Sequence, residues 1–166
     1  MIRPYREEDF QYLGQWVTDA DLLLRFSGPA WTFPLTEEQI RSHQQQYPCK
    51  RLYVGCDARE IPFAIGELIW NEEDSPRLGR ILIGDPGQRG KGTGTAFVKE
   101  LILEFIRLHN PKEICLYVLE GNEAAARCYR KLGFQFDQVE PKRILYNGSE
   151  MRMFRMTLDL DKNPLR

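Results

Sequence analysis

Apolar and polar residues follow two periods along this chain, one typical of helices and one typical of strands. Between residues 93 and 108, apolar side chains such as Phe97, Leu101 and Phe105 recur every three or four positions, which predicts a long amphipathic helix. Shorter β-prone runs bounded by turn residues predict strands. The predicted helices lie at 7–18, 36–46, 93–108 and 123–131, and the predicted strands at 1–5, 51–57, 63–70, 80–83, 113–119, 134–141 and 152–160.

The order of these elements, β-α-α-β-β-β-α-β-α-β-β, predicts a mixed α/β fold class. The three strands between 51 and 83 are joined by short turns and are expected to form an antiparallel meander. The long helix joins strand 80–83 to strand 113–119 as a βαβ unit, so these two strands should be parallel. We therefore expect one domain over residues 1–166, with a central mixed, mostly antiparallel sheet flanked by helices. Segment 21–35 is less regular, with room for one short helix at 22–24.

Residues 89–94, RGKGTG, form a glycine-rich loop between strand 80–83 and the long helix. Glycine lacks the Cβ atom that would keep a ligand away from the backbone, and the first turn of a helix leaves N–H groups free to bind an anion. The loop is not a Walker A motif, because Gly92 stands where Ser or Thr is required. It does not fit the dinucleotide fingerprint either, since the third glycine would fall on Thr95 or Phe97. We expect a phosphate ligand other than ATP or NAD in their usual modes.

A second stretch, residues 122–134, reads as a short helix with capping residues at both ends. Asn122 is placed to cap its start, and Gly133 is placed just beyond its last turn. Tyr129 lies within this Ala-rich helix, where it is either a core aromatic residue or a functional phenol.

Composition and charge narrow the classes of function. The chain is 42% hydrophobic and 28% charged, and it contains no signal peptide or long apolar run, so we expect a soluble, cytoplasmic protein without a membrane partner. A net charge of −1 gives no reason to expect a nucleic-acid partner. The four cysteines form no CxxC pair, and His43 and His109 stand alone, so we expect free thiols and no metal site.

The glycine-rich loop and the 122–134 stretch together resemble the GNAT superfamily of acetyl-CoA-dependent N-acetyltransferases. RGKGTG is similar to the pyrophosphate loop of that family, Arg/Gln-x-x-Gly-x-Gly/Ala, and NEAAARCYRKLGF is similar to its Asn-x-x-Ala…Tyr-x-x-x-Gly-Phe signature. The resemblance extends over nearly the whole chain but is specific only over residues 77–136. The opening IRPYREEDF is similar to the branch that includes ribosomal-protein N-terminal acetyltransferases.

The resemblance implies a GNAT fold and a reaction. An acetyl group would pass from acetyl-CoA, the cosubstrate that the family uses, to a primary amine by direct attack in a ternary complex. Tyr129 would protonate the departing CoA thiolate, since a phenol with a pKa near 10 is protonated at neutral pH. The residues expected to bind acetyl-CoA are Ile81, Leu82, Ile83, Arg89, Gly90, Lys91, Gly92, Thr93, Gly94, Thr95 and Asn122.

The general base and the acceptor are less well defined. Some family members carry a Glu five residues before the signature Asn, where this chain has Tyr117. Our candidate catalytic base is Glu67, on strand 63–70, which precedes the strand that leads into the glycine-rich loop. Glu120 and a water relay are the alternatives. The candidate substrate-binding residues are Trp31, Phe33 and Trp70. The acceptor amine is left open between a peptide N-terminus, a polyamine and an aminoglycoside-like amine.

A second function remains open beside the enzyme, namely a non-catalytic module that binds and senses acyl-CoA. The protein is expected to be a monomer or a homodimer, because an exposed sheet edge would permit two chains to pair.

Overall fold

One eight-stranded sheet forms the centre of the computed structural model, which describes residues 1–163; the last three residues of the predicted domain, 1–166, lie outside them. The strands follow the order β1-β2-β3-β4-β5-β8-β6, and β7 pairs with β8. Together with five helices this is the predicted mixed α/β GNAT fold class, which is confirmed. The elements are β1 (Ile2–Pro4), α1 (Phe10–Trp16), α2 (Ala20–Ser27), α3 (Glu37–Gln46), β2 (Lys50–Cys56), β3 (Pro62–Ile69), β4 (Arg77–Ile83), α4 (Thr93–His109), β5 (Glu113–Leu119), α5 (Glu123–Lys131), β6 (Gln135–Phe136), β7 (Lys142–Tyr146) and β8 (Ser149–Asp159).

The sheet is antiparallel throughout except between β4 and β5, as the βαβ unit predicts. In the described residues these two strands are paired only where Arg77 lies opposite Cys115. Beyond this pair they diverge, so one edge of β4 faces an open space. The register between β3 and β4 also shifts between Ile65 and Glu67, opposite Arg80, whose φ of 46° is left-handed. A bulge of this kind bends its strand and redirects its side chains.

Two apolar layers cover the two faces of the sheet. α4 and α5 pack on one face through a core that includes Phe97, Leu101 and Phe105, each at most 2% exposed. Helices α1–α3 pack on the other face through a second core. Glycines in the strands permit the close approach of α4, because a Cβ atom at Gly66 would lie 2.6 Å from a Leu101 methyl group.

Two local predictions need correction. The predicted strand 134–141 is reduced to Gln135–Phe136, and strand β7, which was not predicted, pairs with β8 across a two-residue turn. Asn147 and Gly148 both have positive φ, as a type I′ hairpin turn requires. Helix α2 is longer than the predicted 22–24, because the Asp19 side chain caps it by accepting from the Leu22 N–H at 2.8 Å.

Candidate active site

A cavity of about 690 Å³ opens at the end of β4. Its wall combines the end of β4, the glycine-rich loop, the start of α4 and most of α5, with α2 closing one side. Its lining residues include Ile81, Leu82, Ile83, Arg89, Gly90, Gly92, Gly94, Thr95, Asn122, Arg127, Cys128 and Tyr129. The glycine-rich loop and the 122–134 stretch therefore line the same cavity.

The glycine-rich loop presents backbone to this cavity. Gly90 and Gly92 have φ values of 76° and 80°, which residues with a Cβ rarely adopt, and nothing lies within 4 Å of the position that a Cβ would take. Gly92 is the N-cap of α4 and supplies no side-chain hydrogen bond to the free N–H groups of the first turn. The loop therefore forms an open cradle at a helix N-terminus, which fits a pyrophosphate group.

The end of β4 supplies a free strand edge beside this cradle. Leu82 and Ile83 pair with Ile65 and Ala64 of β3 on one side, while β5 has diverged on the other. Unpaired backbone groups along such an edge can bind an extended ligand as an added strand. Arg89 folds back onto the strand, since its Nε donates to the carbonyl oxygen of Ile83 at 3.1 Å.

Helix α5 places two functional side chains on the same wall. The Oδ1 atom of Asn122 accepts from the Ala125 N–H at 3.2 Å, which caps the helix and leaves the side-chain NH₂ group free of that role. Tyr129, 7% exposed, packs against Phe134. Burial raises the pKa of Tyr129, so its phenol remains protonated at neutral pH. A protonated phenol beside the cavity is suited to give a proton to a leaving thiolate.

A smaller cavity of about 70 Å³ adjoins the first and reaches the α1–α3 face of the sheet. The two cavities share six wall residues, namely Arg25, Phe26, Ile81, Asn122, Ala125 and Tyr129. The other residues that line the smaller cavity are Leu78, Gly79, Arg80, Leu116, Tyr117, Val118 and Leu119. We call it the acceptor-side cavity, because a ligand there would meet the contents of the larger cavity next to Tyr129.

Glu67, the candidate base, lies in a buried polar group beneath the sheet rather than in the wall of either cavity. It is 0% exposed, accepts from His43 Nε2 at 2.6 Å and is ion-paired with Arg80. Burial raises the pKa of Glu67, but the hydrogen bond from His43 and the charge of Arg80 outweigh burial and leave that pKa below its usual value. An ionised carboxylate with two partners is a weak proton acceptor, so its role as base stays a prediction.

Other predicted residues are dispersed. Lys91 and Thr93 belong to the loop but line neither cavity. The predicted acceptor wall is not assembled in the described residues: Trp31 is buried in the core under α1–α3, Phe33 is 45% exposed elsewhere, and Trp70 stacks on His109 with ring centroids 4.7 Å apart.

Sequence reasoning also missed lining residues, namely Arg25, Phe26, Arg80, Tyr117, Arg127 and Cys128. The amphipathic pattern of α2 was the signal available for Arg25 and Phe26. Residues 1–163 contain no group of His, Cys, Asp and Glu side chains arranged to hold a metal ion. In the same residues, no helix is long and apolar enough to span a membrane.

Comparisons with known proteins agree with this geometry. Residues 1–135 match the family model described as an acetyltransferase (GNAT) domain. The spermidine N(1)-acetyltransferase of Escherichia coli K12 is 26% identical over 158 residues, which cover 95% of this chain and 84% of that protein. The expected likeness to the ribosomal-protein N-terminal branch is not supported, because this relative is named as a polyamine enzyme.

Solved structures share the fold. The spermidine N-acetyltransferase of Vibrio cholerae in complex with CoA and spermine superposes with a TM-score of 0.79 at 18% identity, covering 98% of this chain and 96% of that one. A dodecameric structure of the Vibrio cholerae enzyme gives a TM-score of 0.73 at 19% identity and covers 98% of this chain and 94% of that one. With the loop, the signature helix and the fold in agreement, this chain belongs to the GNAT acetyltransferase family and is an acetyl-CoA-dependent N-acetyltransferase.

Proposed function

We propose that this protein transfers the acetyl group of acetyl-CoA to a primary amine of a small molecule by direct attack in a ternary complex. The observation that carries the proposal is the wall shared by the two cavities, which contains Asn122 and Tyr129. Because the two cavities adjoin, an amine in the acceptor-side cavity would lie directly next to a thioester in the larger cavity. No covalent acyl-enzyme is required by this arrangement.

Three parts of the wall of the larger cavity would hold acetyl-CoA. The N–H groups at the start of α4 and the glycines at 90 and 92 would hold the pyrophosphate. The free edge of β4 at 81–83 would pair with the amide groups of the pantetheine arm, and Asn122 would donate its free NH₂ group to the same arm. The bound donor supplies the activated acetyl group.

The reaction balances with one protein side chain in direct contact. The amine nitrogen forms a C–N bond with the acetyl carbonyl carbon, and the C–S bond breaks. Tyr129 gives its proton to the sulfur, the amine gives a proton to water, and Tyr129 then takes a proton back from water. We favour water as the first acceptor of that proton, because Glu67 lines neither cavity and is already held by His43 and Arg80. Freeing the lone pair of a Lys-like amine at pH 7 costs about 4.6 kcal/mol, from a pKa near 10.4.

The acceptor class is a separate question. The names of the relatives support a polyamine, so spermidine and spermine belong in the first panel of acceptors. No relative described above supports a peptide α-amine. The cytoplasmic location and the monomer or homodimer stay predictions, and the dodecamer is a property of the Vibrio cholerae enzyme.

Calorimetry with acetyl-CoA, with ATP and NAD as controls, tests whether the protein binds acetyl-CoA selectively. Transfer is then followed by release of free CoA. Tyr129→Phe should lower kcat by about 10²–10⁴-fold, the usual contribution of a general acid, while leaving the Kd for acetyl-CoA unchanged. Tyr12→Phe, on α1 and outside both cavities, is the matched control. Selective binding without transfer to any amine would instead support the acyl-CoA sensing module, and absence of binding would contradict both functions.

A further inference from the structure

The wall of the larger cavity carries an excess of positive charge. Four of its residues are cations, namely Arg25, Arg89, Arg127 and Lys131, and Glu123 is the one acidic residue among the described residues that line it. Like charges gathered in one wall repel each other and attract an anion. The wall as a whole therefore favours a negatively charged ligand.

Two of these cations, Arg127 and Lys131 of α5, are accessible to a ligand. Both residues are exposed, and both line the cavity. Within residues 1–163 no carboxylate oxygen lies within 4.0 Å of a side-chain nitrogen of either residue, and this includes Glu123, one turn before Arg127. Residues four positions apart on a helix are neighbours on its surface. We call Arg127 and Lys131 the α5 cation pair.

The stability of the helix does not account for this pair. Like charges four positions apart repel each other and destabilise a helix. The helix dipole favours cations in the last turn of α5, where Arg130 and Lys131 lie, but it gives no reason for Arg127 in the middle. Arg130 differs from the pair, because its guanidinium lies over the Phe136 ring at 5.1 Å and it does not line the cavity.

The α5 cation pair lies beside the cradle that would hold the pyrophosphate. The Sγ atom of Cys128 is 3.5 Å from Oγ1 of Thr95, in the first turn of α4, and 3.9 Å from the position that a Cβ atom would take at Gly94. Arg127 comes one position before Cys128 and Lys131 three positions after it. The contact between α5 and α4 therefore brings both cations next to the N-terminus of α4.

Acetyl-CoA carries a further phosphate close to its pyrophosphate. Its ribose bears a 3′-phosphate, a phosphomonoester with a charge of about −1.5 to −2 at pH 7. The backbone N–H groups of the cradle suit the pyrophosphate. Side-chain cations suit the phosphomonoester, because a guanidinium can bind it in a bidentate manner and an ammonium group binds it as a point charge.

We infer that Arg127 and Lys131 form a subsite for the 3′-phosphate of CoA, and that the enzyme uses this subsite to distinguish CoA and its thioesters from molecules without that phosphate. The inference rests on the proposed position of acetyl-CoA in the larger cavity. The subsite acts on binding, because the ribose, the pyrophosphate and the pantetheine arm separate the 3′-phosphate from the thioester. A phosphopantetheine arm carried on a protein lacks the ribose phosphate and would be a poor acyl donor.

Calorimetry with CoA and with dephospho-CoA, which differ only in the 3′-phosphate, tests the subsite on the unmodified protein. We expect the Kd of dephospho-CoA to be higher by about fivefold or more, which corresponds to about 1 kcal/mol for two exposed charge contacts. The ratio should fall as NaCl is raised from about 50 mM to about 500 mM, because salt screens exposed charges. A smaller ratio at low salt, or a ratio that does not respond to salt, would overturn the subsite and leave acetyl transfer intact. If neither compound binds the folded protein, the proposed function itself is contradicted.

Substitutions on α5 give a second readout. Arg127→Gln and Lys131→Gln should each lower the ratio of the two Kd values, and the double variant should bring it close to one by weakening the binding of CoA. Arg130→Gln, which removes a cation of the same helix outside the cavity, is the matched control and should leave the ratio unchanged. Dephospho-CoA serves as the internal reference, because a folding defect would weaken the binding of both compounds. A double variant that keeps the ratio of the unmodified protein would overturn the assignment of both residues.

Discussion

Glu67→Gln removes one charge from the buried group formed by Glu67, His43 and Arg80 and preserves the shape of the side chain. In the native protein the carboxylate accepts from His43 and neutralises Arg80, whose side chain is 9% exposed. A Gln amide can still accept through its oxygen, but it leaves the buried guanidinium without a counter-ion. We expect a loss of stability, with the chemistry of the site affected only through Arg80.

The magnitude follows from the burial of both partners. Removing one member of a buried ion pair costs about 3–5 kcal/mol, because the remaining charge is left uncompensated. In a domain of this size each kcal/mol lowers Tm by about 2–4 °C. The expected fall in Tm is therefore about 6–20 °C. Glu73→Gln, in the exposed turn before β4, is the matched control and should leave Tm almost unchanged.

The pH dependence of stability tests independently whether ionised Glu67 stabilises the folded state. The folded pKa of Glu67 lies below the ordinary value of 4.5, so the ionised form stabilises the folded state. This stabilisation is fully present above the unfolded pKa and is lost as the pH falls through the folded one. The difference in unfolding free energy between the native protein and Glu67→Gln, measured by urea denaturation, should shrink as the pH falls below about 4.5.

Kinetic measurements distinguish an indirect role of Glu67, exerted through Arg80, from its predicted role as the general base. If Glu67 acts only through Arg80, the folded variant at 15 °C should retain the shape of the pH profile of kcat/KM. A variant as stable as the native protein, but with kcat reduced by 10²-fold or more and the alkaline dependence of the rate changed, would refute the reasoning and restore Glu67 as the general base.

Three further substitutions test the loop, the helix cap and the packing of α1. Gly92→Ala should lower the free energy of unfolding by about 1–2 kcal/mol, because Gly92 has a positive φ, and should weaken acetyl-CoA binding about tenfold. Gly148→Ala, which is equally strained in the β7–β8 turn, is the control and should lose stability without a change in the Kd for acetyl-CoA. Asn122→Ala should cost about 1 kcal/mol and raise the KM for acetyl-CoA, and Asn122→Asp should restore stability but not the KM. Gly84→Ala places a Cβ atom 1.8 Å from Trp16 and should lower stability by about 1–3 kcal/mol or more in thermal melts; an unchanged Tm would contradict this packing.

The acetyl-CoA side of the site could be predicted because its sequence signals are local. The glycines of 89–94 and the period of α4 lie in one continuous stretch, and Asn122 and Tyr129 lie seven positions apart on one short helix. A loop with positive φ values favours glycine, and a helix start favours a capping residue such as Asn. Both requirements therefore place particular residue types at fixed positions in the sequence. The parallel pairing of β4 and β5 then follows from the βαβ connection.

The acceptor side was not predictable in this way, because it is assembled from distant segments. Arg25 comes from α2, Arg80 from a bulge and Tyr117 from β5, and no spacing in the sequence joins them. Glu67 has an apolar strand pattern around it, which indicates a buried position but not that its partner His43 arrives from α3. Aromatic composition alone suggested Trp31 and Phe33 as substrate walls, whereas packing under α1–α3 takes Trp31 into the core.

Arg80 connects the geometry of the sheet to the charge of the acceptor side. A non-glycine residue at a positive φ is strained by about 1–3 kcal/mol, and a buried ion pair rarely stabilises a fold more than apolar packing would. Both costs fall on one residue, at the register shift where β4 bends away from β5, and that residue lines the acceptor-side cavity. Fold stability gives no reason to place a strained, buried cation there. A role in the acceptor-side cavity does, because the bend that opens the cleft places Arg80 in the same wall as Tyr129.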